Sequence, residues 1–321
     1  MGSLAKPVVC IVTPGTRTEN NGNWRTAARW AAMLQGHCRI IVQTRWDGKP
    51  ADALIALHAR RSADSVAEFH ARAPGRSIAV MLTGTDLYRD LPESREAARS
   101  LDLARCIVTL QEDALRLLGD AWRAKAEVIF QSAVALRKET KARDRLVCVA
   151  VGHLREEKDP RTLLRAVARL PASLPFVLRH IGAPLDARLA TEARQLAARE
   201  SRYRYLGALP HGLTRAAMKA AHLLVHPSAM EGGANVIVEA VTGHTPVLAS
   251  RISGNVGMLG PDYAGYFEAG NESALASGVV QAWEDRAFLA TLARQCAVRR
   301  PLFSPAAEAR AVRRLLSRLL A

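Results

Sequence analysis

Aromatic side chains make up only 5% of this 321-residue chain, which leaves few platforms on which single-stranded bases could stack. The formal charge is +15. The arginines, however, are spread through helix-like stretches such as RTLLRAVARL and EARAVRRLLSRLL instead of gathering among aromatics. That distribution fits a solvated basic surface with a pocket for phosphates, and it argues against nucleic acid as a partner. No apolar run approaches the roughly 18 residues of a membrane-spanning helix. The opening MGSLAKPVVCIVTP lacks the charged region, long apolar core and cleavage site of a secretory signal. Lys6 also stands where a myristoylation signal wants serine or threonine. A cytoplasmic protein with no membrane partner is expected. Cysteine is sparse: Cys10, Cys106 and Cys148 lie in strand-like apolar runs, and Cys38 and Cys296 have no neighbour at metal-ligand spacing. Disulfides and structural zinc are therefore not expected. No Asp/His cluster has metal-ligand spacing, so neither a metal nor another cofactor is expected. Low-complexity tracts and short repeats are also absent.

The remaining sequence alternates short β-branched runs with amphipathic stretches. Candidate strands are 7–12, 38–43, 53–58, 77–82, 106–110 and 127–130, and WRTAARWAAML between the first two has apolar positions at helical spacing. The pattern restarts after ALRKETKARDR at 135–145, the one plausible linker, with strands expected at 146–152, 175–182, 203–209, 222–228 and 245–250. Strand–helix alternation predicts α/β architecture: two Rossmann-like doubly wound parallel-sheet domains facing a central cleft. The expected division is 1–139, 140–303, and a terminal amphipathic helix 304–321 that packs back on the first domain. Ser304 would cap that helix, with Pro305 in its first turn.

The strongest chemical signal is HPSAMEGGANVIVEAVTGHTPVLAS at 226–250. A strand ends in a Gly-rich turn, and a helix is predicted to start near Gly233–Asn235. Free amides at a helix start suit a diphosphate, and Gly232 and Gly233 let the backbone approach it. Glu231 precedes the helix and Glu239 lies within it, so the two carboxylates could reach opposite ends of an extended ligand. On spacing alone, an ordinary surface Glu239 beside a tight glycine turn is an equal alternative.

This segment resembles the E-x7-E signature of family-4 retaining glycosyltransferases, followed by their TPV-x-AS strand from Thr245 to Ser250. Their glycine before that strand is displaced here to Gly243, with His244 in its place. The resemblance implies a GT-B fold. It places Glu231 beside the donor sugar, Glu239 on the ribose hydroxyls, and the amides of Gly233, Ala234 and Asn235 on the pyrophosphate. Where the family has VGR…K, this chain has VGHLREEK, so His153 replaces the expected arginine and Lys158 keeps the lysine position. Arg155 could substitute, and His153 could equally be a structural hydrogen-bonder.

The first half has polar loops after its strands. Asn20, Asn21, Gly22 and Asn23 are predicted to join the first strand to the first helix, and their amides could contact phosphate. His58 closes a strand, with Arg60 and Arg61 behind it, and Thr83, Gly84, Thr85 and Asp86 close another. Hydroxyls, amides and arginines together suit an anionic acceptor. NNGNW-x-TA-x-RW, WDG-x-PADALIALHARRSA and LTGTDLYRD are similar to the selenosugar synthases of selenoneine biosynthesis. That resemblance implies UDP-sugar, in the form of UDP-N-acetylglucosamine, and selenophosphate as small-molecule substrates. The donor would be held by Gly22, Asn23, His153, Arg155, Lys158 and Glu231 to Asn235, with Glu239. The acceptor would be held by Asn21, Arg25, His58, Arg60, Arg61 and Thr83 to Asp86. His58, Glu231 and Lys158 are the expected catalytic residues. An ordinary family-4 enzyme with a hydroxyl acceptor is the nearest alternative.

Overall fold

A computed structural model describes residues 6–18 and 22–321. The chain divides into two compact units, Met1–Gln131 with Pro305–Ala321, and Ser132–Ser304. In the first unit the β-branched runs form β1 (Val8–Val12), β2 (Arg39–Gln43), β3 (Ala53–Leu57), β4 (Ser77–Met81), β5 (Cys106–Thr109) and β6 (Ala126–Val128). All pair in parallel, in the order β2-β1-β3-β4-β5-β6. β3 is buried at every position, as expected of a central strand covered on both faces. Alternate residues serve opposite layers. Val9, Ile11, Ile55 and Leu57 pack on one face with Trp30, Leu34, Leu315 and Leu319. Cys10, Val12, Leu54 and Ala56 pack on the other with Phe69 and Leu101.

Leu315 and Leu319 belong to the helix Pro305–Leu320, so the end of the chain completes the first unit's core. That helix buries Glu308, whose carboxylate accepts from Arg29 Nε at 2.9 Å and from Trp30 Nε1 at 2.9 Å. A buried carboxylate is tolerated because both donors are supplied by one facing helix, Gly22–Leu34.

The second unit contains β7 (Leu146–Val151), β8 (Phe176–Ile181), β9 (Tyr203–Gly207), β10 (Leu223–His226), β11 (Val247–Ser250) and β12 (Tyr266–Phe267). Their order is β12-β11-β10-β7-β8-β9, again all parallel. Strand order reverses between β1 and β3 in the first unit and between β7 and β10 in the second. Ligands of open α/β sheets bind at the carboxyl ends of strands flanking such a reversal. All five cysteines are free and buried, and burial pushes the Cys10 thiol up to about 12. No described helix is long and apolar enough to cross a membrane.

The structure departs from the sequence-based expectation in three places. The segment 135–145, expected to be a linker, lies inside the second unit. Leu136 N–H donates to the Thr242 carbonyl at 3.0 Å. The Lys141 ammonium donates to the carbonyls of Lys219, at 2.6 Å, and of Ala221, closing the end of the helix His211–Ala220. Backbone acceptors hold this charged stretch, and hydropathy does not register them. The break between units accordingly falls after Gln131 instead of after residue 139. β12, only two residues long, was not anticipated. Finally, Gly22 and Asn23 form the first turn of the helix Gly22–Leu34, not a loop before it.

Candidate active site

In the second unit, close backbone packing builds the switch-point site. A Cβ on Gly182 would lie 1.8 Å from the Gly152 carbonyl, so only glycine lets the ends of β7 and β8 come together. Beneath them His180 is buried. Its Nδ1 accepts from the Tyr203 hydroxyl at 2.8 Å, and its ring bonds the Gly152 carbonyl. Burial lowers the His180 pKa to about 4, so the ring is neutral at physiological pH. After β7, Lys158 ends a short turn. The next residue, Asp159, adopts a left-handed φ of 43° and caps the helix Pro160–Ala168 by accepting from Thr162 N–H at 3.2 Å. The β10 loop is clipped to this turn: Ala229 and Met230 N–H donate to the Glu157 carbonyl at 3.0 and 3.3 Å.

That clip brings Lys158 Nζ to 2.5 Å from Glu231 Oε1. Glu231 is 8% exposed, and His226 Nε2 lies 3.2 Å from the same oxygen, poorly aligned for a hydrogen bond. Burial opposes the carboxylate's charge, but the Lys158 ammonium and the His226 contact outweigh it and hold the group well below the usual carboxylate range. Gly254 packs against the Glu231 backbone so closely that a Cβ would lie 2.0 Å from the Glu231 carbonyl. The helix Asn235–Thr242 follows, and its capping position, Ala234, offers no side-chain acceptor. The first amides of a helix have no intrahelical partner, so this start can take an anion. Glu239, in the same helix, accepts from His211 Nε2 at 2.7 Å.

The two candidates for the missing arginine behave differently. His153 Nδ1 accepts from Ala183 N–H at 3.0 Å, so the ring braces the loop. Burial, then the neighbouring Arg155 and Lys158 charges, lower its pKa. Arg155 is exposed, with Nε 3.9 Å from Glu157. Neither reproduces a bidentate guanidinium grip, and Lys158 is the cation that contacts Glu231 most closely.

In the first unit His58 directly follows β3, with a left-handed φ of 74°, and is 1% exposed. Such a conformation is costly for a residue other than glycine, and structure held this way marks functional positions. Arg61 N–H donates to His58 Nδ1 at 3.3 Å, which leaves the hydrogen on Nε2, facing Thr85 Oγ1 at 3.1 Å. His58 in this state donates a hydrogen bond and is not a base. Burial is the largest cause of its lowered pKa. Asp86 points inward. Its carboxylate accepts from the backbone N–H groups of Ala59, Thr83, Gly84 and Leu87 at 2.9, 2.8, 2.9 and 3.1 Å. It therefore shapes the Thr83–Thr85 turn and has little capacity left for a ligand.

Arg60 Nε pairs with Asp90 Oδ2 at 3.1 Å, and that oxygen is 3.7 Å from His58 Nε2. Arg61 is exposed, Arg25 is half-buried in the first helix, and Asn21 lies outside the described residues. Asp90, His211 and the contact role of His226 were missed in the sequence. A helical spacing of four from Asp86 to Asp90 was the one available signal for Asp90.

Two parallel Rossmann-like sheets, each with polar loops at its switch point, define the GT-B class of glycosyltransferase fold. HepE from Anabaena, solved with UDP, superposes with a TM-score of 0.76 at 16% identity, over 97% of this chain and 99% of that one. Sucrose-phosphate synthase from Thermosynechococcus elongatus gives 0.75 at 16% identity over 98% and 99%. A glycosyltransferase from Rickettsia africae gives 0.75 at 14% over 98% and 99%. Residues 133–297 match the family model of glycosyl transferases group 1, and the chain belongs to that family.

Proposed function

We propose that this glycosyltransferase takes a UDP-sugar donor at the β7–β10 end of its second unit and transfers the sugar to selenophosphate. The observation that carries the donor half is the Lys158–Glu231 pair, 2.5 Å apart, beside a helix start with no side-chain cap. Lys158 and the amides from Gly233 to Asn235 stabilise the charge that develops on the departing diphosphate. Glu231 orients the sugar through its hydroxyls, and Glu239 accepts from the ribose hydroxyls. That HepE was solved with UDP and with UDP-glucose supports a uridine nucleotide.

On the acceptor side, selenium attacks the anomeric carbon while the bond from that carbon to the diphosphate oxygen breaks, and the electron pair leaves with UDP. Water then cleaves the Se–P bond of the adduct, giving the selenol and inorganic phosphate. The nucleophile is already anionic, so no strong base is required, which fits His58 in its hydrogen-bond-donating state. Arg61, Arg25, and Arg60 if released from Asp90, supply positive charge. The identity of the acceptor rests on the resemblance of the first unit's loops to selenosugar synthases.

A second reading, a hydroxyl acceptor, is favoured by Asp90, whose carboxylate stands beside Arg60 and His58 where a dianion would be repelled. Mass spectrometry after incubation with UDP-N-acetylglucosamine and selenophosphate separates the two. A selenium-containing sugar with equimolar UDP is expected. UDP release only with alcohols would select the second reading.

A further inference from the structure

Glu239 is the one charged residue of its helix, and Ile237, Val238, Ala240 and Val241 around it are buried. Two basic side chains approach it from the helix His211–Ala220. His211 opens that helix, directly after Pro210, and places Nε2 2.7 Å from Glu239 Oε1. A carboxylate only accepts, so the ring hydrogen is on Nε2. Arg215 follows one turn later on the same face. Its Nη2 donates to the Val134 carbonyl at 2.9 Å and to Thr242 Oγ1 at 3.4 Å, at the end of the Glu239 helix. Burial lowers the Arg215 pKa, and the nearby Glu239 carboxylate opposes that shift.

Resting on the donor reading above, which puts Glu239 on the ribose hydroxyls, we propose that His211 is a positioning residue for the nucleotide. By holding Oε1 it aims Oε2 at the ribose, and the site thereby selects a ribonucleotide over its deoxy counterpart. A glutamate side chain has several rotatable bonds, and freezing them as a ligand binds costs affinity. His211 orders the carboxylate before the nucleotide arrives, so that cost does not fall on binding. Arg215 serves the same carboxylate differently. It is buried, out of a ligand's reach, and its bonds to Val134 and Thr242 tie the His211–Ala220 helix to the last turn of the Glu239 helix. That tie keeps His211 within reach of Glu239. The His211 ring is half exposed, so it braces one oxygen without sealing the carboxylate from a ligand.

The test is calorimetric titration of the full chain with UDP, 2′-deoxy-UDP and 3′-deoxy-UDP, in wild type, His211→Ala, His211→Gln and Glu239→Gln. Wild type is expected to bind UDP about tenfold or more tightly than at least one deoxy counterpart, because the missing hydroxyl leaves Glu239 unpaired by the ligand. His211→Ala should weaken UDP about fivefold and that deoxy counterpart by no more than about twofold, so the discrimination shrinks. His211→Gln, whose amide nitrogen can reach the same oxygen, should restore most of it. If His211→Ala weakens all three ligands alike, or keeps the wild-type discrimination, the ring is merely structural. If it binds UDP more tightly, the ring competes for the carboxylate. Each of these results overturns the inference and leaves the donor reading intact. No binding of UDP, no discrimination in wild type, or discrimination that survives in Glu239→Gln overturns the donor reading itself.

Discussion

Each unit buries one carboxylate beside its switch point, and the two are satisfied by different kinds of partner. Asp86 is held by four backbone N–H groups. Glu231 is held by the side chains of Lys158 and His226. A carboxylate bonded to backbone can be freed only by unfolding its loop. One bonded to side chains can change partners when a ligand arrives. The first arrangement builds a rigid turn under Thr85 and His58, and the second builds a site that responds to charge.

The sharpest way to break this contrast is to remove the mobile partners. Lys158→Ala and Glu231→Ala should each lower turnover about a hundredfold or more, with circular dichroism unchanged. Wild-type-like turnover in either would show that the pair is merely structural. Removing the fixed carboxylate should act on stability instead. Asp86→Ala orphans four amides and should cost about 3 kcal/mol in urea unfolding, whereas a loss of activity with no loss of stability would move Asp86 into the ligand site. Gly254→Ala forces a methyl against the Glu231 carbonyl. It should raise the donor KM roughly tenfold by displacing that carboxylate, and steady-state kinetics would expose an unaffected KM.

A further effect concerns pH. His180 has its folded pKa lowered from 6.5 to about 4. Between those values the unfolded chain binds more protons than the folded one, so stability is full above 6.5 and is lost as pH falls towards 4. The loss should reach roughly 2 kcal/mol by about pH 5, and His180→Asn should flatten the dependence of thermal unfolding over that window.

Much of this was legible in the sequence, for identifiable reasons. Parallel strands covered on both faces are continuous β-branched runs, so the strands from Val8 to Ser250 stood out, while two-residue β12 carried no such signal. Glu231 and Lys158 sit at motif spacing and were readable. Their partnership was not, because it depends on the Glu157 carbonyl clipping two distant loops together. His211 reaches Glu239 across 28 residues, and Asp90 reaches His58 only after the turn set by Asp86. The role of His153 was open in the sequence; its hydrogen bond to Ala183 assigns the ring a bracing part. Asp86 was expected on the ligand and instead faces inward, because an aspartate in a turn can bond neighbouring amides as readily as a ligand can.

We propose a division of labour, with the second unit holding the donor and the arginines of the first unit selecting the nucleophile. Equilibrium titration of UDP-N-acetylglucosamine into wild type, Glu231→Gln, Lys158→Met, Arg60→Ala and Arg61→Ala tests it directly. Glu231→Gln and Lys158→Met are expected to weaken donor binding about tenfold or more, while the two arginine variants stay within about twofold of wild type. Donor binding lost equally in Arg60→Ala or Arg61→Ala would contradict it.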